Sequence, residues 1–386
     1  MRLGEKTHAG LPRTGLGCVR APCRQAPPQG ILPKDHGGYA LSTPAAAPVR
    51  HPVIRPDWLA RNAEPALEPE LPIVDAHHHL WDRPGDPYLL DDFLADAGGG
   101  HAVRASVFIE CHTHYRAGGD PLFQPVGETE FVARAAARAA ERPGGARVAD
   151  GIVGFADLSA GAAIRAVLEA QIEAGAGHFR GIRQIAAWHP DPLARGSVAT
   201  PPPMLMLDPA FREGFAQLAP LGLSFDAWAY HTQLAELRDL ADAFPETRIV
   251  LNHVGGALGI GPYTHRRRHV FAAWSAAIRE LSHCPNLHVK LGGLGMRLFG
   301  FGLHEGDQPP HSAQLADLWR PYIETCVEAF GAERCMFESN FPVDKASCGY
   351  TALWNAFKRI TADWPPQQRA ALFHDNAVRF YRLDAA

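Results

Sequence analysis

The sequence lacks several features, and each absence narrows the reading. No uninterrupted apolar run reaches the roughly 18 residues that a membrane-crossing helix needs. Neither sign of charge dominates, because 37 Lys and Arg stand against 41 Asp and Glu, a formal net charge of −4. The one basic run, Arg266-Arg267-Arg268, reads as a solvated helix start, so no electrostatic footprint for nucleic acid is present. Seven cysteines (Cys18, Cys23, Cys111, Cys284, Cys326, Cys335 and Cys348) include no C-x-x-C pair. Their odd number and scatter exclude a disulfide framework and a zinc-finger pattern, and they lead us to expect a reducing, cytoplasmic setting. No repeat of solenoid period occurs.

What is present is 386 residues of ordinary globular composition, 46% hydrophobic and 20% charged. Residues 1–55 are rich in Pro, Gly and Ala, show no periodicity, and read as a disordered extension. A barrel domain is expected over residues 71–383. Within it, short β-branched runs alternate with longer segments of helical period. The expected strands are 73–81, 105–112, 151–158, 179–185, 223–230, 248–253, 287–294 and 335–342. The expected helices are 128–142, 160–174, 209–221, 234–244, 270–282, 312–330, 350–362 and 366–381. Eight such repeats give the α/β class and a (β/α)8 TIM barrel. A doubly wound sheet would place a glycine-rich phosphate turn after the first strand; here stands Asp75-Ala76-His77-His78-His79.

Parallel barrel strands are buried on both faces, so a charge in them is costly unless paired or used. Polar residues nevertheless collect at the ends of nearly all eight expected strands: Asp75, His77 and His79; Glu110 and His112; Asp157; Arg180, Arg183 and Gln184; Asp226; Asn252 and His253; Lys290; Glu338 and Asn340. The C-terminal face is where barrel enzymes carry their chemistry. On a strand, His77 and His79 point the same way, and their spacing lets two nitrogens reach one ion or flank one substrate group. His78 points away. Glu110 and His112 face inward by parity, suited to orienting the H-x-H pair. Trp188 and His189 after the fourth strand, and residues 299–304 after the seventh, are candidates for the pocket wall, and Lys290 for binding a substrate anion.

Five stretches in order, Ile73-Val-Asp-Ala-His-His-His-Leu-Trp-Asp82, Phe179-Arg-Gly-Ile-Arg183, Asn252-His-Val-Gly-Gly256, Val289-Lys-Leu-Gly-Gly293 and Met336-Phe-Glu-Ser-Asn-Phe-Pro342, together resemble the amidohydrolase superfamily. The resemblance is to its branch of sugar-lactone and 2-pyrone-4,6-dicarboxylate lactonases and aminocarboxymuconate-semialdehyde decarboxylase. It implies a hydrolase that opens a lactone or related cyclic ester by general-base activation of water, with a small anionic substrate. The alternatives are a metal-dependent decarboxylase and a non-catalytic ligand-binding barrel. The resemblance assigns His77, His79 and His253 to catalysis and Arg183 to a substrate carboxylate, whose geometry a guanidinium matches. It leaves open the choice between no metal and one divalent ion such as Zn²⁺, for which His77, His79 and His231 are the candidate ligands. Neither nucleic acid nor a membrane is expected as partner, and nothing in the pattern specifies an oligomeric state.

One departure matters. The family usually reads Gly-Ser-Asp on the eighth strand, its aspartate taking the proton of the attacking water. Here Asn340 holds that place, and an amide is no base at neutral pH. Glu338, two residues earlier and on the same face, is the expected general base, with Asn340 orienting water or substrate and Asp344 as the fallback.

Overall fold

The computed structural model describes residues 52–384, apart from 143 and 197–199. The extension expected over residues 1–55 therefore lies outside the described residues as far as residue 51.

The chain forms β1 (Pro72–His78), a hairpin of β2 (Trp81–Arg83) and β3 (Asp86–Tyr88), then β4 (Ala102–Ile109), β5 (Arg147–Gly154), β6 (Phe179–Ile182), β7 (Ser224–Ala227), β8 (Ile249–Leu251), β9 (Leu287–Leu291) and β10 (Cys335–Phe337). All but the hairpin join one eight-stranded parallel sheet in the order β1-β4-β5-β6-β7-β8-β9-β10. The sheet closes where Asn340 N donates to His77 O at 2.8 Å and His79 N to Phe341 O at 2.7 Å. The helices that cover it are α1 (Leu90–Ala97), α2 (Val126–Ala140), α3 (Arg165–Ala174), α4 (Pro209–Phe215), α5 (Leu234–Ala243), α6 (Arg267–Leu281), α7 (Ser312–Phe330) and α8 (Tyr350–Ile360). This is the (β/α)8 barrel that the alternation predicts. None of the described helices is long and apolar enough to cross a membrane.

Two apolar layers hold it. Leu, Ile, Phe and Trp side chains fill the space between sheet and helices. Inside the barrel, Val74, Val107, Ile109, Val153, Val250 and Met336 pack with Phe380, Tyr381 and Leu383 from the chain's end. The C-terminal helix Asn376–Tyr381 thus plugs the barrel, which is why a final helix follows the last repeat.

The structure departs from the expected elements near β1. That strand stops at His78 rather than running to residue 81, because the chain turns into the hairpin, pinned by Trp81 Nε1 donating to Asp86 O at 2.8 Å. Helix α1 was not expected. Its eight residues bury only Leu90, Phe93 and Ala97, and Asp92 caps it by accepting from Leu89 N at 2.8 Å. A stripe that short gives little periodicity to read.

Asp75 ties the closure together. Fully buried, it accepts from Ser339 N at 2.9 Å, Ser339 Oγ at 2.6 Å and Tyr350 Oη at 3.0 Å, joining β1 to the segment after β10 and to α8. Burial pushes its carboxyl up to about 6 even against these donors. Asp75→Ala would strand the Ser339 amide and two hydroxyls, each worth about 1–3 kcal/mol when left unpaired in a core. We expect a loss of about 3–5 kcal/mol in urea unfolding; a loss below about 1 kcal/mol would contradict this role.

Candidate active site

The strand ends converge as their parity predicts. His77 and His79 face one another, Nε2 to Nε2 at 3.2 Å, while His78 points outward, stacked on Phe93 with its Nε2 3.0 Å from Ser106 Oγ. His79 Nδ1 lies 2.7 Å from Ile109 O. A carbonyl only accepts, so this nitrogen carries the proton and His79 Nε2 is left with its lone pair. Burial holds both imidazoles well below their usual value, His77 with added pressure from Lys290 and His79 from Arg183.

Glu338 lies behind this pair with no exposed surface. Its Oε1 accepts from His253 Nδ1 at 2.7 Å and from His253 N at 3.0 Å. Its Oε2 stands 2.9 Å from His77 Nδ1, within ion-pair reach but out of line for a hydrogen bond, and has no other partner among the described residues. A glycine pair after β9 makes room for this arrangement. A Cβ on Gly292 would come within 2.3 Å of Glu338 O, and one on Gly293 within 2.4 Å of His253 Nδ1. Gly293 also has φ +65, which side chains resist. His253 (φ 54), Val254 (φ 47) and Asn340 (φ 56) adopt left-handed backbone without being glycine. Such strain persists only where the surroundings over-determine it, and it gathers at functional sites.

Arg183 enters from the end of β6. Its Nε donates to Glu110 Oε1 at 2.7 Å, its Nη2 to Glu110 O, and its Nη1 lies 3.3 Å from His77 Nε2. Glu110 therefore meets the inward orientation its parity predicts. His112 lies past the end of β4 with φ 60, partly exposed, 2.9 Å from Tyr115 Oη and 3.5 Å from Glu110 Oε2.

In front of them is a cleft lined by His79, Trp81, Arg83, Cys111, Arg183, Ile185, Gly196, Trp228, His253, Met296, Asn340 and Val343; His77 is fully buried and is not part of its wall. Among the described residues no carboxylate lines it. Glu338 is the support of His253 rather than a wall of the cleft. Asp344, the fallback base, is fully buried and accepts from Gly295 N and Asn340 Nδ2, both at 2.8 Å; burial pushes it up to about 8. Lys290 is also fully buried, 2.7 Å from Asp226 Oδ2 and 3.4 Å from His77 Nδ1. It meets the nitrogen of His77 opposite the one that faces Arg183 and His79, and it does not reach the cleft wall. His231 accepts from Leu258 N at 3.3 Å and packs on Tyr263, and Trp188 N donates to Gln233; neither lines the cleft. Sequence reasoning missed Arg83, Trp81 and Trp228 as cleft residues. The Pro84-Gly85 turn between Trp81 and Tyr88 was the available signal for the hairpin that carries two of them.

The donor set fits a divalent ion. Two nitrogens each about 2.0–2.1 Å from a tetrahedral ion stand about 3.3 Å apart, close to the His77–His79 spacing. His77, His253 and Glu338 also form a group whose ligand atoms lie within 4.8 Å of one another, and Glu338 Oε2 has no hydrogen-bond partner among the described residues. His231 does not belong to this group. Arg183 Nη1 approaches the same nitrogen of His77, so an ion bound there and this contact exclude each other.

Comparison with known proteins agrees with the fold. The amidohydrolase family model matches residues 74–383. The uncharacterised protein y4mH of Sinorhizobium fredii is 35% identical over 81% of this chain and 99% of its own. An L-fucono-1,5-lactonase of Burkholderia multivorans is 27% identical over 80% of this chain and 96% of its own. An amidohydrolase of Burkholderia multivorans, solved with bound Zn, superposes with a TM-score of 0.60 at 24% identity, over 81% of this chain and 99% of that one. The chain belongs to the amidohydrolase family.

Proposed function

We propose that this protein is a cytoplasmic hydrolase that opens a small lactone or related cyclic ester, with an anionic substrate favoured. The observation that carries the reading is the cleft itself, where His79, His253 and Asn340 meet the Arg183 guanidinium and every nearby carboxylate is held behind them. The lactonase name of a relative that spans most of the chain supports the reaction class. The five described cysteines are free and buried, which suits a reducing compartment.

In this mechanism the ring sits in the cleft that Trp81 and Trp228 help to line, and Arg183 anchors an anionic substituent with the N–H groups that Glu110 and His77 leave free. His253 Nδ1–H is fixed on Glu338, so Nε2 is the free base that takes a proton from water. The sequence leads one to expect Glu338 itself as the base; in this reading it acts instead through His253, which it orients and whose imidazolium it stabilises. Asn340 Nδ2 is spent on Asp344, so its Oδ1 is left to hold the water. A divalent ion held by His77 with His79, or with His253 and Glu338, would polarise the carbonyl and lower the pKa of water when bound.

Two outcomes are expected. In a pH-stat assay over neutral and carboxylated lactones, Glu338→Gln and His253→Gln each lower kcat by about 10²–10⁴, the usual worth of a positioned base and its support. Hydrolysis of no lactone by the wild type, with or without added Zn²⁺, would overturn the reading. Burial is the largest influence on His253 and holds it below 6.5, against the raising effect of Glu338. The base form therefore prevails at pH 7, and kcat/KM should fall only as pH drops below 6.5, as His253 becomes protonated. A loss beginning between pH 7 and 8 would contradict His253 as the base.

A further inference from the structure

Arg83 differs from Arg183, the other guanidinium that lines the cleft, and from Lys290 behind it. Arg183 is balanced by Glu110 at 2.7 Å, and Lys290 by Asp226 at 2.7 Å. Arg83 has no carboxylate within ion-pair distance among the described residues, although Asp86 is its register partner across the hairpin. Its guanidinium carbon lies 3.8 Å from the centroid of the Trp81 ring, and its one hydrogen bond among the described residues runs from Nη2 to Cys111 O at 3.3 Å. It is half-buried and it lines the cleft.

Each of these facts points the same way. A guanidinium held over an indole loses little further freedom on binding. Most of its five N–H donors are unspent, in a wall that offers no anion. A guanidinium edge matches a carboxylate with two parallel bonds, which a neutral hydroxyl or ring oxygen does not reproduce. The hairpin that carries it leaves the barrel directly after the H-x-H strand, so only Leu80, Trp81 and Asp82 separate Arg83 from His79, and the Trp81 Nε1 bond to Asp86 O pins the turn.

We propose that Arg83, stacked on Trp81, is the specificity residue by which the cleft selects a lactone bearing a carboxylate over the same ring without one. The inference rests on the lactone-hydrolase reading for its substrate ring, and on Arg83 alone for the charge. Arg183 touches Glu110 and His77 as well as the cleft, so its loss damages turnover of any substrate; Arg83 touches Trp81 and Cys111 O and none of the groups assigned to the proton transfer.

The test compares γ-butyrolactone with 5-oxotetrahydrofuran-3-carboxylate, the same ring carrying a carboxylate, on the full chain. Wild type is expected to prefer the carboxylated ring. Arg83→Met, which keeps an apolar chain on Trp81, should cut that preference in kcat/KM by about 10–100-fold, the worth of a charge-assisted bidentate contact, and should do so through KM. Arg83→Lys should restore part of it. An unchanged preference, or equal losses on both rings, overturns the proposal. Calorimetric titration of the carboxylated ring into catalytically silenced His253→Gln, with and without Arg83→Met, separates the two readings. A 10–100-fold weaker Kd in the double variant supports Arg83 even if no lactone is turned over. Equal Kd values, or no binding to either protein, overturn it.

Discussion

A single buried carboxylate organises this site. Glu338 is removed from water entirely, which costs several kcal/mol unless its oxygens are met by donors. His253 supplies two of them, from its ring and from its backbone, and the backbone pays with a left-handed conformation at His253 and Val254. The same carboxylate reaches toward His77 with its other oxygen. His253 is thereby oriented from behind, with its Nε2 left free for the cleft. Gly292 and Gly293 are fitted to this arrangement, since any side chain there would strike Glu338 or His253.

Charge is layered in the same sense. Acidic groups (Glu110, Glu338, Asp226 and Asp344) lie behind the wall, each held by a cation, a histidine or an amide donor. The wall itself carries neutral imidazoles, an amide and two guanidiniums. A polyhydroxylated neutral ring would find few acceptors there, whereas an anion finds donors and no repulsion. The acids thus set the orientation of the residues that meet substrate without contributing negative charge to the surface the substrate sees.

Much of this was legible in the sequence. The eight strand–helix repeats, the inward pair His77 and His79, the outward His78, and the cluster of polar residues at strand ends all follow from period and parity. Parity fixes which way a side chain points but not how deep it lies, so Lys290 is correctly inward yet below the cleft, and Glu338 inward yet behind His253. It also ends where the strand ends. His231 and Trp188 lie on loops, and their pattern carried no information on where the chain would take them. Arg83 and Trp81 were missed for the converse reason: β1 looked two or three residues longer than it is, which hid the hairpin that swings both into the cleft.

The direct test of the account is the tautomer of His253 in the free enzyme, read by long-range ¹H–¹⁵N correlation of the imidazole at pH 7. The Glu338 contact predicts a proton on Nδ1 and an unprotonated Nε2, with the Nδ1 proton shifted far downfield and that shift lost in Glu338→Gln. A proton resident on Nε2, or a tautomer indifferent to Glu338, would contradict a base oriented by this carboxylate.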